Sequence, residues 1–324
     1  MPKNAYETSS GLVTHTRAGI ERHATDDWIE LIGMEDMEWD PADYTFRFER
    51  TILGIDSNSN TIKIDIPIVM SLDSEFPPAK IFELKYKEEM ISDVGIENMC
   101  LESDYDENDP DDESHAWYAV VLDNVHNGWV ADVTTKHFVC GIFASNWSRY
   151  ITIQDCSVLE PISKSDSGDG LRRYAFNLSG QMGLVKRWRV CGPNAFVESK
   201  GEDATNDTGP HERWAMGTLY DNIICEKINV QNRGHMGTGH GWAGVYQVVY
   251  NCTAKAKSII RNAPRTKNWV IGFNGSLDDR PSNEDIGIKA ASFAPNATVK
   301  PRSLYWSQLI ERMGGDSDLV KRTV

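Results

Sequence analysis

The sequence predicts an all-β protein built on a parallel β-helix, a solenoid of short stacked strands, and three observations predict it. From about residue 91 a four-residue pattern returns: an apolar residue, any residue, an Asp or Asn-like residue, then Cys or another apolar one. It reads Ile96-Glu-Asn-Met99, Val130-Ala-Asp-Val133, Ile153-Gln-Asp-Cys156, Val185-Lys-Arg-Trp188, Phe196-Val-Glu-Ser199 and Val249-Tyr-Asn-Cys252. The segments carrying it are short, β-branched and bounded by turn formers. No long amphipathic helix lies between them, and parallel strands that recur without crossover helices stack as a solenoid. A β-sandwich or jelly roll is the alternative that the same strands allow.

Three regions follow: an N-terminal β-rich region at 1–90, the solenoid at 91–300, and a C-terminal helix and tail at 301–324. Residues 1–43 read as loops with one helical turn near 26–32. Alternation over Tyr44-Thr-Phe-Arg-Phe-Glu-Arg-Thr-Ile52, the turn Asp56-Ser-Asn-Ser-Asn60 and the strand Thr61-Ile-Lys-Ile-Asp-Ile66 make a hairpin. Within the solenoid, Leu219-Tyr-Asp-Asn222 and Ile228-Asn-Val-Gln231 are expected in an intervening turn. Near the end, Ser303 is placed to cap a helix that runs to about Met313 and stops at Gly314-Gly315. Its Trp306, Leu309, Ile310 and Met313 form one apolar stripe, expected to cover the outside or the open end of the solenoid.

One spacing breaks the pattern. Successive repeats lie 34, 23, 32, 11 and 53 residues apart; loops account for the longer steps and 53 is two coils. Eleven residues cannot travel round a three-sided coil at the rise of a strand. Between Trp188 and Phe196 either the chain is short by about half a coil or the register of the repeats breaks.

Composition narrows the partners. No apolar run approaches the roughly 18 residues that a membrane span needs. The net charge of −15 is uneven: residues 1–130 hold 29 acids against 9 bases, the remainder 19 against 24. That second half is free to attract an anionic polymer, while the lack of a basic helix or aromatic-basic repeat argues against nucleic acid. The six cysteines form no C-x-x-C pair and read as buried free thiols. Six Asn-x-Ser/Thr sequons, at Asn146, Asn177, Asn206, Asn251, Asn274 and Asn296, lean towards an exported glycoprotein, although the N-terminus shows no apolar leader.

The densest chemistry lies in Asp207-Thr-Gly-Pro-His-Glu-Arg-Trp-Ala-Met-Gly217 and Asn232-Arg-Gly-His-Met-Gly-Thr-Gly-His-Gly-Trp-Ala-Gly244. Imidazole, guanidinium and indole groups on glycine-rich loops are the parts of a sugar or anion site. The plainer alternative is a pair of tight turns holding core histidines. A second cluster joins Lys164, Asp169, Arg172, Arg173 and Tyr174, which stacking would bring near the first. His115, His126, His137 and Trp117 read as structural. Asp104, Asp106, Asn108 and Asp111 have the oxygen density of a Ca²⁺ site, the one cofactor the sequence suggests, but lack the EF-hand glycine and read more readily as a disordered acidic loop.

Several segments carry a resemblance to a known family: Asp93-Val-Gly-Ile-Glu-Asn98, Ser114-His-Ala-Trp117, Arg172-Arg-Tyr-Ala-Phe-Asn177, Gly209-Pro-His-Glu-Arg-Trp-Ala-Met-Gly217, Gly237-Thr-Gly-His-Gly-Trp-Ala-Gly244 and Pro301-Arg-Ser-Leu-Tyr305. Across roughly residues 26–313 the chain resembles uncharacterised, mostly exported bacterial and fungal proteins with a pectate-lyase-like right-handed parallel β-helix. The resemblance implies the fold more firmly than an activity, because that fold hosts lyases, hydrolases, epimerases and adhesins. It also implies an Arg-His-Asp-Phe segment before Gly192-Pro-Asn194, and more chain before Met1. Both departures agree with a truncated product, and the first with the short spacing.

A pectate-lyase-like reaction neutralises a uronate carboxylate, removes the adjacent proton and expels the glycosidic oxygen by β-elimination. His211 or His240 is then the base, and Arg213 and Arg233 clamp the carboxylate. Trp214, Trp242 and His235 bind sugar, with Lys164, Arg172, Arg173 and Tyr174 from the preceding coil. A glycoside hydrolase needs two carboxylates across the bond; Asp166/Asp169 and Asp207/Glu212 are nominal pairs only. The remaining alternative is a polysaccharide-binding module or inactivated relative.

Overall fold

A computed structural model describes residues 6–9, 12, 14–37, 39–72, 78–86, 90–109, 112, 114–145, 147–162, 174–183, 191–202, 204, 206–278, 288–289 and 291–315. Strands dominate them, and the α-helices among them are Asp26–Leu31, Met236–Gly239 and Leu304–Arg312. The protein is all-β. Not all of its sheets are parallel, however, and the exceptions position the site.

The N-terminal layer is an antiparallel sheet ordered Tyr6–Ser9, Lys80–Tyr86, Arg17–His23, Thr45–Asp56, Thr61–Ile64. The expected hairpin is its far edge. Its turn is closed by the Asp56 carboxylate, which accepts from the amides of Asn58 and Ser59 and from the Ser59 hydroxyl, while Asn60 takes φ 53°. An Asx side chain makes such a turn cheap because it replaces backbone hydrogen bonds locally. The Asp26–Leu31 helix starts where Thr25 Oγ1 accepts from the Trp28 amide, and it buries Trp28 and Ile29.

Beyond residue 90 most strand pairs are parallel, with Ile259–Asn262 antiparallel to Ile288–Lys289 as an exception. Gly95–Glu102, Val125–Lys136 and Arg149–Gln154 form one ladder, with Ile96, Val130 and Ile153 in register. Tyr118–Leu122, Cys140–Ala144 and Tyr174–Leu178 form a second. A third runs from Cys191–Val197 through Ala215–Asp221, Val248–Tyr250 and Trp269–Ile271 to Ala291–Phe293, aligning Phe196, Tyr220, Val249 and Val270. Val130, Ile142, Val249 and Val270 are fully enclosed in the core that these ladders share. Each such side chain contributes about 1.5–3 kcal/mol by leaving water. The recurring apolar position of the sequence is thus the core-facing rung.

The Asp/Asn position has an equally physical origin. Asn98, Asp132 and Asp155, two residues past the aligned rungs, have φ between 52° and 56°. Glu198, Asn222, Asn251, Gly272 and Ala294 hold the same place in the third ladder, with φ from 48° to 67°. Left-handed backbone is where the chain bends after each rung, and Asn, Asp and Gly take it at least cost. This row corrects one expectation. Leu219-Tyr-Asp-Asn222 lies not in a turn between repeats but in the ladder, one residue out of the proposed frame, and residues 229–230 form a short parallel strand paired with Ile259–Asn262.

The short step is visible in the backbone. The Met182 amide donates to the Pro193 carbonyl and the Ala195 amide to the Gly183 carbonyl, so neighbouring backbones here are eleven or twelve residues apart. Elsewhere aligned rungs are 21–34 residues apart. Val185 and Trp188 themselves lie outside the described residues.

A second core joins the N-terminal layer to the third ladder. Trp28, Ile32, Met34, Trp39, Phe46 and Phe48 meet Trp214, Met216, Trp242 and Val245 there. At the other end, the Leu304–Arg312 helix is capped by Ser303 and followed by Gly314 and Gly315 at positive φ, as the sequence predicts. Its apolar stripe remains only partly covered; what holds it is the fully buried Asp221, whose carboxylate accepts from Ser303 Oγ (2.8 Å) and the Tyr305 amide (2.7 Å).

Candidate functional site

Two loops make the site, and backbone pairing brings them together. The amides of Arg213, Trp214 and Ala215 donate to the carbonyls of His240, Trp242 and Ala243, which extends the parallel ladder backwards into both loops. Residues 231–233 fold antiparallel onto 241–243, with Arg233 donating to Gly241 and Ala243 to Gln231. Gly241 shows why glycine is required: at φ 54° its Cβ would stand 2.6 Å from both Met34 Sδ and the Trp39 ring. Arg213 and Trp214 both take positive φ, 53° and 63°. Two consecutive non-glycine residues in that region store of order 1–3 kcal/mol each, which the surrounding pairing holds in place.

The polar centre is His211, Glu212 and His240, all buried. The two imidazole rings lie 4.4 Å apart between centroids, tilted by 58°. His240 Nδ1 is 3.0 Å from Glu212 Oε2, within ion-pair distance for a protonated imidazole. Arg213 Nε lies 4.0 Å from the same oxygen, and its terminal nitrogen donates to both the carbonyl and the hydroxyl of Thr238. Gly237 of that turn is exposed, and a Cβ there would be 2.7 Å from His240 Nε2. With no side chain at 237, the backbone of the turn lies directly against this ring edge, and His240 stays buried. Tyr174, the first described residue of its strand, faces His211 edge-on at 6.2 Å.

Several expected site residues stand elsewhere or are already engaged. Arg233 forms a buried ion pair with Asp207, so its guanidinium is committed before any substrate arrives. Trp214 and Trp242 do not present indole faces to solvent: Trp28 packs edge-on against Trp214 at 4.9 Å, and Trp242 Nε1 donates to the Ile32 carbonyl at 3.0 Å. The N-terminal layer covers both. His235 is exposed and makes no capping bond to the turn that follows it. Lys164, Arg172 and Arg173 lie outside the described residues, as does Asp111 of the acidic loop. In that loop Asp106 accepts from Asn108 and Asp112 from the amides of Asp106 and Ser114, so these carboxylates close turns rather than converge on an ion. Asp104 stands exposed on the same loop.

Comparison with family models, curated proteins and solved structures finds no match for this chain.

Glu212 is the residue the sequence left underused, named only as half of a nominal carboxylate pair. A Glu flanked by a His and an Arg in a loop was the available signal. Three other histidines hold structural posts. His115 contacts the carbonyls of Ala116 and Ile162, and His137 lies between Glu102 and Glu160. His126 meets Arg17 at 2.9 Å, and burial together with Arg17 and Arg149 lowers its pKa to about 4.

Proposed function

We propose that the chain is a carbohydrate-active protein that cleaves a uronate-containing anionic polysaccharide by β-elimination, on parallel ladders wound as a right-handed, pectate-lyase-like β-helix. One observation carries the reading: two imidazoles, a carboxylate and a partly exposed guanidinium converge where the ladder runs into the 211–215 and 236–243 loops. Arg213 is the group that neutralises the uronate carboxylate, which acidifies the neighbouring C–H. His240 is the base. Glu212, with Oε2 3.0 Å from Nδ1, favours the tautomer that carries its proton there and its lone pair on Nε2, the atom beside Gly237. Substrate reaches it as the exposed Met236–Gly239 turn moves aside. His211 and Tyr174 stand beside it, and His211 in its protonated form gives its own proton to the leaving oxygen.

A hydrolase is less well supported, because Glu212 is paired with His240 and Asp207 with Arg233. The second reading with an observation behind it is a non-catalytic polysaccharide-binding relative. In its favour, His240 is only 3% exposed and the eleven-residue step shortens the neighbouring repeat. Export is part of both readings, and Asn206, Asn274 and Asn296 are exposed sequons, whereas Asn177 is buried and the Asn251 amide donates to Val299. None of the described helices is long and apolar enough to cross a membrane.

The test is a panel of uronate polymers followed by the ultraviolet absorbance of the unsaturated product, with and without a Ca²⁺ chelator. Turnover that falls on the order of 10²-fold or more in His240→Ala, the usual weight of general base catalysis, supports the lyase. Retained polymer binding with no turnover in any protein, unaffected by His211→Ala and His240→Ala, supports the binding module instead.

A further inference from the structure

We propose that His211, Glu212 and His240 form a binding site for a borderline divalent cation, Zn²⁺ foremost. The three side chains each offer one ligand atom, and these atoms lie within 4.8 Å of one another in a setting buried on every side. Two imidazole nitrogens and one carboxylate oxygen are the donor set of many three-ligand zinc sites, with a fourth position left for water or substrate. Bonds of roughly 2.0–2.2 Å at tetrahedral angles put ligand atoms about 3.3 Å apart. The His240–Glu212 separation of 3.0 Å is already within a few tenths of an ångström of that value. The remaining separations are at most 4.8 Å, so closing the triangle needs shifts of up to about 1.5 Å. Oxygen-seeking cations such as Ca²⁺ and Mg²⁺ are poor matches, because they require six or more oxygens.

The neighbours set the strength. Arg213 stands 4.0 Å from the Glu212 oxygen and opposes a second positive charge, while the Arg233–Asp207 pair balances itself. Binding is therefore weaker than at four-ligand structural zinc sites. The position has a further consequence, which rests on the proposed role of His240. The cation sits between Nδ1 and Oε2, so it takes from His240 the carboxylate beside it. Zinc and elimination then exclude each other, and the ion switches the site off.

Binding is measured without substrate, so it stands or falls separately from the lyase reading. Calorimetric titration of the chelator-treated full chain with ZnCl₂ is expected to give one site per chain, and CaCl₂ none. Glu212→Gln keeps an oxygen to accept from His240 Nδ1 but removes the anionic ligand, and it should weaken zinc by tenfold or more, as should His211→Ala. Addition of Co²⁺ to the wild-type protein should give the visible absorption of a low-coordinate nitrogen and oxygen site, a readout that needs no variant. Absence of both zinc heat and cobalt absorption, or equal zinc affinity in wild type and Glu212→Gln, overturns the site. Zinc bound at one site while uronate turnover continues unchanged keeps the site and removes His240 as the base.

Discussion

A histidine, a tryptophan and a carboxylate each mean different things according to what covers them, and the present chain supplies the contrast. His126 and His240 are both partly or wholly withdrawn from water, but His126 faces two guanidinium groups whereas His240 faces a carboxylate. For His126 the folded pKa of about 4 lies below the ordinary 6.5, so the folded protein resists the proton. The unfolded chain then binds more protons as the pH falls, and stability declines from about pH 6.5 towards pH 4. Urea midpoints across that window should show the decline, and His126→Gln should flatten it; an unchanged slope in the variant would remove His126 as its source. The site histidines were legible from their glycine-rich company, and so was Arg213. The tryptophans were not. Indole suits a sugar face and a core equally well, and what decided the matter for Trp242 is a carbonyl 210 positions away. Burial of that kind is set by tertiary packing, which local sequence does not carry.

At the scale of the element, the left-handed bend is what made the repeats readable. Asn98, Asp132 and Asp155 recur because the backbone conformation recurs, so a chemical pattern betrayed a geometric one. Asp132 is exposed, which makes it a clean test. Replacing it with Val should cost roughly 1–2 kcal/mol, while Gly should be close to neutral; equal urea midpoints for the two variants would contradict the role of the bend. Asn222 escaped notice because the frame chosen there was one residue off, and a period-2 rung moved by one residue exchanges its faces. The C-terminal helix was legible from cap to stop, but its tether was not. Asp221 is fully buried and accepts from Ser303 and Tyr305, about 80 residues on. Asp221→Ala strands those donors and should cost about 1–3 kcal/mol in thermal unfolding, with earlier proteolysis after residue 300. Cleavage at the wild-type rate would show that the helix is held by its stripe instead.

For the whole molecule, the separation into an N-terminal region and a later ladder is one of sequence and not of packing. The core that holds Trp28 and Phe46 also holds Trp214, Trp242 and Val245. Trp28→Ala should remove about 3–5 kcal/mol and lower a single transition that far- and near-ultraviolet circular dichroism report together. Two separated transitions would show that the layer unfolds alone. Of this arrangement only the hairpin was foreseeable, since its strands are adjacent in sequence, whereas Arg17–His23 and Lys80–Tyr86 pair across some 60 residues of other structure. The row of bends also sorts the chain by how it answers a change of length. From one rung to the next, spacings from 21 to 34 residues already coexist, so residues added between a bend and the next rung are absorbed in loops. Within the few residues around a bend, one inserted residue turns a core side chain outward. Residues 182–183 meet residues 193–195 after only eleven or twelve positions, so a change of length between them falls on the shortest of these steps.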